Sequence, residues 1–264
     1  MVPMIFLYVC PGLLFQMKIP VFQIINYSLI LIVLILFIRY IWDLLFNNHY
    51  QPDEWQHGVK NKGISPFLRK LERNYADKVR FFNWWFQIER LKREKIEGSF
   101  AELGVYKGDS ARIIHSMDPS RKFHLFDTFG GFPEADLDQE TGEAATYTKK
   151  NFSDTSVQKV KNHISGNENL IFHPGYFPGT VVECQLEVFA LVNIDVDLHN
   201  PVKAGLEFFY PRLSPGGVIF IHDYNYKWEG LKMAVDDFLR LIPENPVMIP
   251  DINGTMIIVK NKKL

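Results

Sequence analysis

The sequence predicts an open α/β fold: a mostly parallel sheet with helices on both faces, closed by a C-terminal antiparallel hairpin and preceded by one N-terminal transmembrane helix. Three observations carry this. Apolar strand-length runs alternate with helix-length segments from Ser99 onward. Acidic residues sit where several of those runs end, as at Asp127, Asp195 and Asp223. An uncharged stretch from Ile19 to Ile38 is long enough to cross a bilayer at about 1.5 Å per residue.

The chain starts with an apolar segment, residues 1–18, interrupted at Pro11-Gly12. Residues 19–42 follow as the expected anchor. A secretory signal has a shorter apolar region and a small-residue cleavage site; this run instead ends in Arg39-Tyr40-Ile41-Trp42-Asp43, with Tyr40 and Trp42 suited to the interface. Lys18 precedes the span, whereas Arg39, Lys60 and Lys62 follow it, which places the C-terminal side in the cytoplasm. The expectation is a single-pass membrane protein whose main domain faces the cytoplasm.

Residues 43–63 are polar and without period, and read as a linker to a domain covering 64–264. Pro66 to Lys95 has the spacing of an amphipathic helix. Its aromatic cluster, Phe81 to Phe86, exceeds what one helix face hides. Three fates are open to it: packing on the sheet, a subunit interface in a homo-oligomer, or contact with the bilayer.

Strands are then expected at Ser99–Leu103, Lys122–Asp127, Leu170–His173, Phe189–Asp195 and Gly217–His222. Helices are expected at Asp109–Met117, Lys149–Ile164, Asn200–Leu213 and Glu229–Leu241. The hairpin takes Val247–Ile249 and Gly254–Val259. The acidic connection between Phe129 and Tyr147 is too long for a tight turn and reads as a substrate-covering lid.

Two segments carry chemistry. In Ser99 to Ser110 a strand runs into Gly104 and Gly108, whose lack of a side chain lets backbone approach a ligand, and the next helix offers free amides. About twenty residues on, Asp127 can accept hydrogen bonds from a ribose diol. The turn lacks the full GxGxxG pattern, and the acid Glu102 would repel a diphosphate, so a nucleoside without pyrophosphate is favoured. In Leu191 to Tyr224 the residues Asp195, Asp197, His222 and Asp223 sit at the carboxyl ends of two strands of one β-α-β unit. Adjacent strands lie about 4.8 Å apart, and such ends form the usual ligand crevice. Clustered acids are costly to bury unless a cation or proton compensates them.

In this order ELGVYKG, FDTFGGFPE, GYFPGT, NIDVDLHNP, GGVIFIHDY and GLKMAVDDF resemble macrocin O-methyltransferase-like proteins. These are S-adenosylmethionine (SAM)-dependent enzymes that methylate sugar hydroxyls with a divalent metal, magnesium being the expectation. The resemblance spans roughly Trp55 to Lys260. It implies a Rossmann-like sheet with SAM over Glu102, Gly104, Tyr106, Gly108 and Asp127. It also implies that Asp195 ligates the metal and Asp197 is the base. Two adjacent acids usually complete the metal site; here they are His222 and Asp223. The tyrosine usual after IDxDL is replaced by His199, a second candidate base because imidazole is a common proton acceptor in catalysis.

Net charge is −1, with 29 Lys+Arg against 30 Asp+Glu, so no basic excess points to nucleic acid. Cys10 and Cys184 form no disulfide framework and fit no metal spacing. His115, His124, His163 and His173 read as surface or core histidines. The expected substrate is a small molecule or glycoside. Two further readings stay open: a metal-dependent hydroxylase similar to cephalosporin hydroxylase-like proteins, with Asp195, His222 and Asp223 on iron, and a non-catalytic membrane-tethered interaction domain.

Overall fold

The computed structural model describes residues 21–46, 51–138 and 140–262. The chain divides into two units, Met1–Tyr50 and Gln51–Leu264. Within the first, α1 runs Val21–Phe46. Its Val21–Trp42 stretch, with mean hydropathy 2.6, is long and apolar enough to cross a membrane. The expected apolar segment 1–18, and the first two residues of the expected anchor, lie outside the described residues.

The second unit is built on β1 (Ser99–Leu103), β2 (Phe123–Asp127), β3 (Leu170–Pro174), β4 (Phe189–Ile194), β5 (Leu213–Ile221), β6 (Val247–Ile249) and β7 (Thr255–Val259). They form one sheet in the order β3-β2-β1-β4-β5-β7-β6. All neighbours from β3 to β5 are parallel, and β7 runs antiparallel to both β5 and β6. The helices are α2 (Asp53–Lys60), α3 (Pro66–Asn74), α4 (Lys78–Arg93), α5 (Asp109–Met117), α6 (Glu134–Leu137), α7 (Val157–Ile164), α8 (His199–Arg212) and α9 (Glu229–Leu239).

Because side chains alternate along a strand, each strand feeds two cores. Val192, Ile194, Ile219 and Ile221 pack with α8 and α9. Leu191, Val218, Phe220 and Leu125 pack with α2, α4 and α5. The strand order reverses between β1 and β4, and the crevice beyond such a switch point is where open α/β sheets take ligands.

Four sequence expectations shift. The stretch read as a linker contains α2, whose Trp55 is buried edge-on against Phe81, Phe82 and Trp85. This answers the aromatic cluster: α4 is gripped between α2 and the sheet, so Phe81, Phe82, Trp84 and Trp85 are all buried and Phe86 alone is exposed. The single helix expected from Pro66 to Lys95 is two, since Tyr75 is extended and Asp77 caps a new helix by accepting from the Arg80 amide. The helix expected from Lys149 starts only at Val157, capped by Ser156. Before it, Asp154 and Thr155 bond the Tyr106 hydroxyl and carbonyl instead of continuing a helix. Strand β5 begins at Leu213 rather than Gly217, with Ser214 donating to the Glu97 carbonyl.

Candidate active site

The crevice at the switch point holds a cavity of about 380 Å³. Its walls come from the β1–α5 turn (Gly104 to Ser110), the ends of β2, β4 and β5, and the Gly131–Asp136 connection. A volume of this order suits a small-molecule ligand.

Of the expected cofactor residues, Gly104, Tyr106, Gly108 and Asp127 line it. Asp127 acts first on the protein itself. Its Oδ2 accepts from the amides of Val105 and Tyr106, both at 2.8 Å, and its Oδ1 from Phe129 at 2.6 Å. One carboxylate thereby fixes the turn after β1, leaving Oδ1 free acceptor capacity. Gly104 has φ +91°, and a Cβ there would stand 2.0 Å from the Asp195 carbonyl oxygen. Gly108 has φ +85°, and its Cβ would meet Val160 at 2.8 Å. Both glycines are demanded by close packing of the turn on β4 and α7.

Glu102 is not on the wall. It is fully buried one residue back, accepting from Asn193 Nδ2 at 2.7 Å. Burial pushes its carboxyl up to about 8, so it is largely protonated at neutral pH.

Asp195, Asp197 and Asp223 do converge, with carboxylate oxygens all within 4.8 Å of one another. Asp197 and Asp223 are both in the left-handed region, at φ 60° and 61°. Non-glycine residues held there cost on the order of 1–3 kcal/mol, and such strain clusters at functional sites. Desolvation and then the charge of Asp223 hold Asp195 well above the usual carboxylate range. The same two causes push Asp197 up to about 7. Three carboxylates in this space require a proton or a cation. An all-oxygen donor set of this kind fits a hard divalent ion such as magnesium.

His222 does not join them. Residues 220 and 222 share a strand face, so the imidazole follows Phe220 into the α4 core, edge-on to Trp84. Its Nε2 lies 2.5 Å from Asn193 Oδ1 and its Nδ1 2.8 Å from Thr255 Oγ1, so both ring nitrogens are engaged away from the acids. Burial holds it well below the usual imidazole range, hence neutral. His199, the other base candidate, opens α8 with its amide donating to Glu140 Oε1 at 2.7 Å and its ring beside Asn200, and it is not on the cavity wall.

Two site residues carried no sequence signal. Arg80, from the first turn of α4, donates to Asp251 Oδ2 at 2.9 Å and to Asp223 Oδ1 at 3.4 Å. Tyr147 donates to Asp197 Oδ2 at 3.4 Å, and burial and that carboxylate raise its phenol, so it remains a donor. Tyr147 ends the connection expected to form a lid, which folds against α8 through Glu140 and Asp136.

The site is thus a switch-point cavity walled by a glycine turn and an amide-clamping acid at the end of β2, with three converging acids beside them. The family model described as macrocin-O-methyltransferase (TylF) matches residues 74–255. The chain belongs to this family of SAM-dependent O-methyltransferases. It is 26% identical over 188 residues to the 8-demethyl-8-(2,3-dimethoxy-alpha-L-rhamnosyl)-tetracenomycin-C 4'-O-methyltransferase of Streptomyces olivaceus, covering 67% of this chain and 70% of that one. It is 30% identical over 150 residues to the mycinamicin III 3''-O-methyltransferase of Micromonospora griseorubida, covering 52% and 59%. The fold matches the O-methyltransferase NovP with TM-score 0.61 and 22% identity, covering 70% of this chain and 81% of NovP.

Proposed function

We propose that the protein transfers a methyl group from SAM to a hydroxyl of a sugar or other polyhydroxylated acceptor, with divalent-metal assistance, at a membrane to which α1 anchors it. The observation that carries this is the convergence of Asp195, Asp197 and Asp223 beside the Gly104 turn in one cavity. SAM supplies a sulfonium methyl open to in-line attack by the acceptor oxygen, leaving a neutral thioether. The chain's task is alignment and proton removal. The Gly104–Ser110 turn, clamped by Asp127, holds the nucleoside end. Asp197 takes the hydroxyl proton: it is the cluster acid that Tyr147 orients, and it stays available as a general base when Asp195 and Asp223 hold the cation. Asp195 and Asp223 are the groups that would hold a divalent cation, which lowers the pKa of a coordinated hydroxyl. Phe132, Phe152 and Tyr176 give the cavity an apolar wall that limits water.

The engagement of His222 in the core removes the imidazole that an iron-hydroxylase reading needs. Similarity to methyltransferases of a dimethoxy-rhamnosyl-tetracenomycin-C and of mycinamicin III supports a glycoside acceptor here. Cytoplasmic orientation follows from the basic residues after the span and from SAM being a cytosolic metabolite. The test is incubation of the full chain in detergent with methyl-labelled SAM and glycoside or glycolipid extracts. Labelled product with stoichiometric S-adenosylhomocysteine is expected; SAM binding without transfer to any hydroxylated acceptor would overturn the reading.

A further inference from the structure

On the other side of the cofactor wall the fold assembles a second group of donors. His124 and Phe126 share one face of β2, and Phe126 is the register partner of His173 on β3. The two histidines are therefore diagonal neighbours on that face. The short 3-10 turn Val182–Cys184 brings Cys184 over them. His124 Nδ1 and His173 Nε2 are 3.0 Å apart, and Cys184 Sγ lies 3.3 Å from the first and 3.6 Å from the second. All three residues are buried, with Phe126 stacked on His173 and Phe189 edge-on to His124.

We propose that His124, His173 and Cys184 form a buried site for a borderline-soft transition ion, zinc(II) above all, separate from the acid cluster. Two imidazoles and one thiol are the donor set such ions select, whereas magnesium takes oxygen. Tetrahedral zinc with bonds of about 2.0–2.1 Å to nitrogen and ~2.3 Å to sulfur sets ligand atoms roughly 3.3–3.6 Å apart. The three observed separations need to open by only a few tenths of an ångström at most. Glu187 completes the pattern from behind: its Oε1 lies 3.2 Å from His124 Nε2. A carboxylate there fixes the proton on Nε2 and turns the Nδ1 lone pair toward the thiol, the arrangement that metal-bound histidines use. Glu187 also accepts from Ser99 and lines a shallow surface cleft with Lys122 and Leu186, which gives an ion a route in. Burial lowers both histidines, keeping the neutral form that ligates, and raises the thiol, whose proton is released on binding. The consequence reaches the active site. Gly175, Tyr176 and Phe177 lie just past Pro174, the residue after His173, and line the cavity, so an ion tying β2, β3 and the 182–184 turn together fixes that wall.

The test uses the full chain in detergent on a Cys10→Ser background, so that Cys184 is the only thiol. Cobalt(II) is added to protein stripped of metal. The expected result is a thiolate-to-cobalt charge-transfer band of one equivalent per chain, displaced by one equivalent of zinc, with a raised unfolding temperature. Cys184→Ser abolishes the band, and Glu187→Gln, a change at the half-exposed rim, weakens zinc roughly 10–100-fold. Asp195→Asn leaves the band intact, which separates this site from the acids. No band, or a band that survives Cys184→Ser, overturns the proposal and leaves the trio as a hydrogen-bonded core cluster.

Discussion

Arg80 Nη2 lies 3.4 Å from Asp223 Oδ1, so the first turn of α4 places a fixed cation against the acid cluster. The same guanidinium bonds Asp251, whose side chain is fully inaccessible. Arg80 thus connects β5, the β6–β7 turn and α4, and offsets part of the charge that the three acids would otherwise repel.

Removing that cation strands a buried carboxylate, which typically costs about 3–5 kcal/mol when one partner of a buried pair is deleted. Arg80→Gln is expected to lose stability of that order in denaturant unfolding. Asp251→Asn should lose less, and the double variant less than the sum of the two. Strictly additive losses would show that the pair is not coupled.

Gly104→Ala tests the turn. The left-handed backbone alone strains alanine by ~1–3 kcal/mol, and the new Cβ meets the Asp195 carbonyl at 2.0 Å. The expected outcome is loss of SAM binding by calorimetry together with a shift of the acid cluster. An alanine variant that binds SAM as the parent does would mean that β1 and β4 part without cost.

Glu102 gives a pH prediction. Its folded pKa, about 8, is raised above the ordinary carboxyl value, so its stabilising contribution is complete below about 4.5 and is lost as pH rises through about 8. The isosteric Glu102→Gln variant has no such loss. Relative to wild type it should gain on the order of a few kcal/mol between pH 5 and 9, read from urea midpoints. A pH-independent difference between the two proteins would assign the effect to packing rather than titration.

For the anchor, α1 predicts that the full chain resists extraction by alkaline carbonate, since the stretch is long and apolar enough to span a bilayer. A chain starting at Gln51 should be released and still bind SAM. Carbonate release of the intact chain would overturn the transmembrane reading.

What could be read in advance depended on whether a signal is local. The β-α-β stretch from Phe189 to Asp223 was legible because the apolar runs, the Pro-Gly break and the terminal acids all lie within it. Asp195, Asp197 and Asp223 were legible for the same reason. His222 misled because it neighbours Asp223 in sequence while strand alternation sends it into the α4 core, and its spacing of two from Phe220 carried that information. Arg80 could not be read, since it meets Asp223 across 143 residues and only the α3–α4 break aims it there. The trio of His124, His173 and Cys184 was hidden by separations of 49 and 11 residues that match no metal motif.

The acid cluster itself yields the sharpest prediction, because the proposed chemistry depends on it. If Asp195 and Asp223 hold a divalent cation, chelation abolishes methyl transfer and added magnesium restores it, while SAM binding, assigned under this proposal to the Gly104 turn and Asp127, largely survives. Asp195→Asn should raise the magnesium concentration needed for half activity. Asp197→Asn should leave that concentration nearly unchanged and lower turnover about 10²–10⁴-fold, the usual contribution of a general base. The two acids are thereby separated by which parameter moves. Tyr147→Phe removes only the hydrogen bond to Asp197 Oδ2, so it should shift the pH dependence of turnover without altering the magnesium requirement. Full activity after exhaustive chelation, in protein free of bound metal, would leave a shared proton as the means by which these three carboxylates coexist, consistent with the raised pKa values of Asp195 and Asp197.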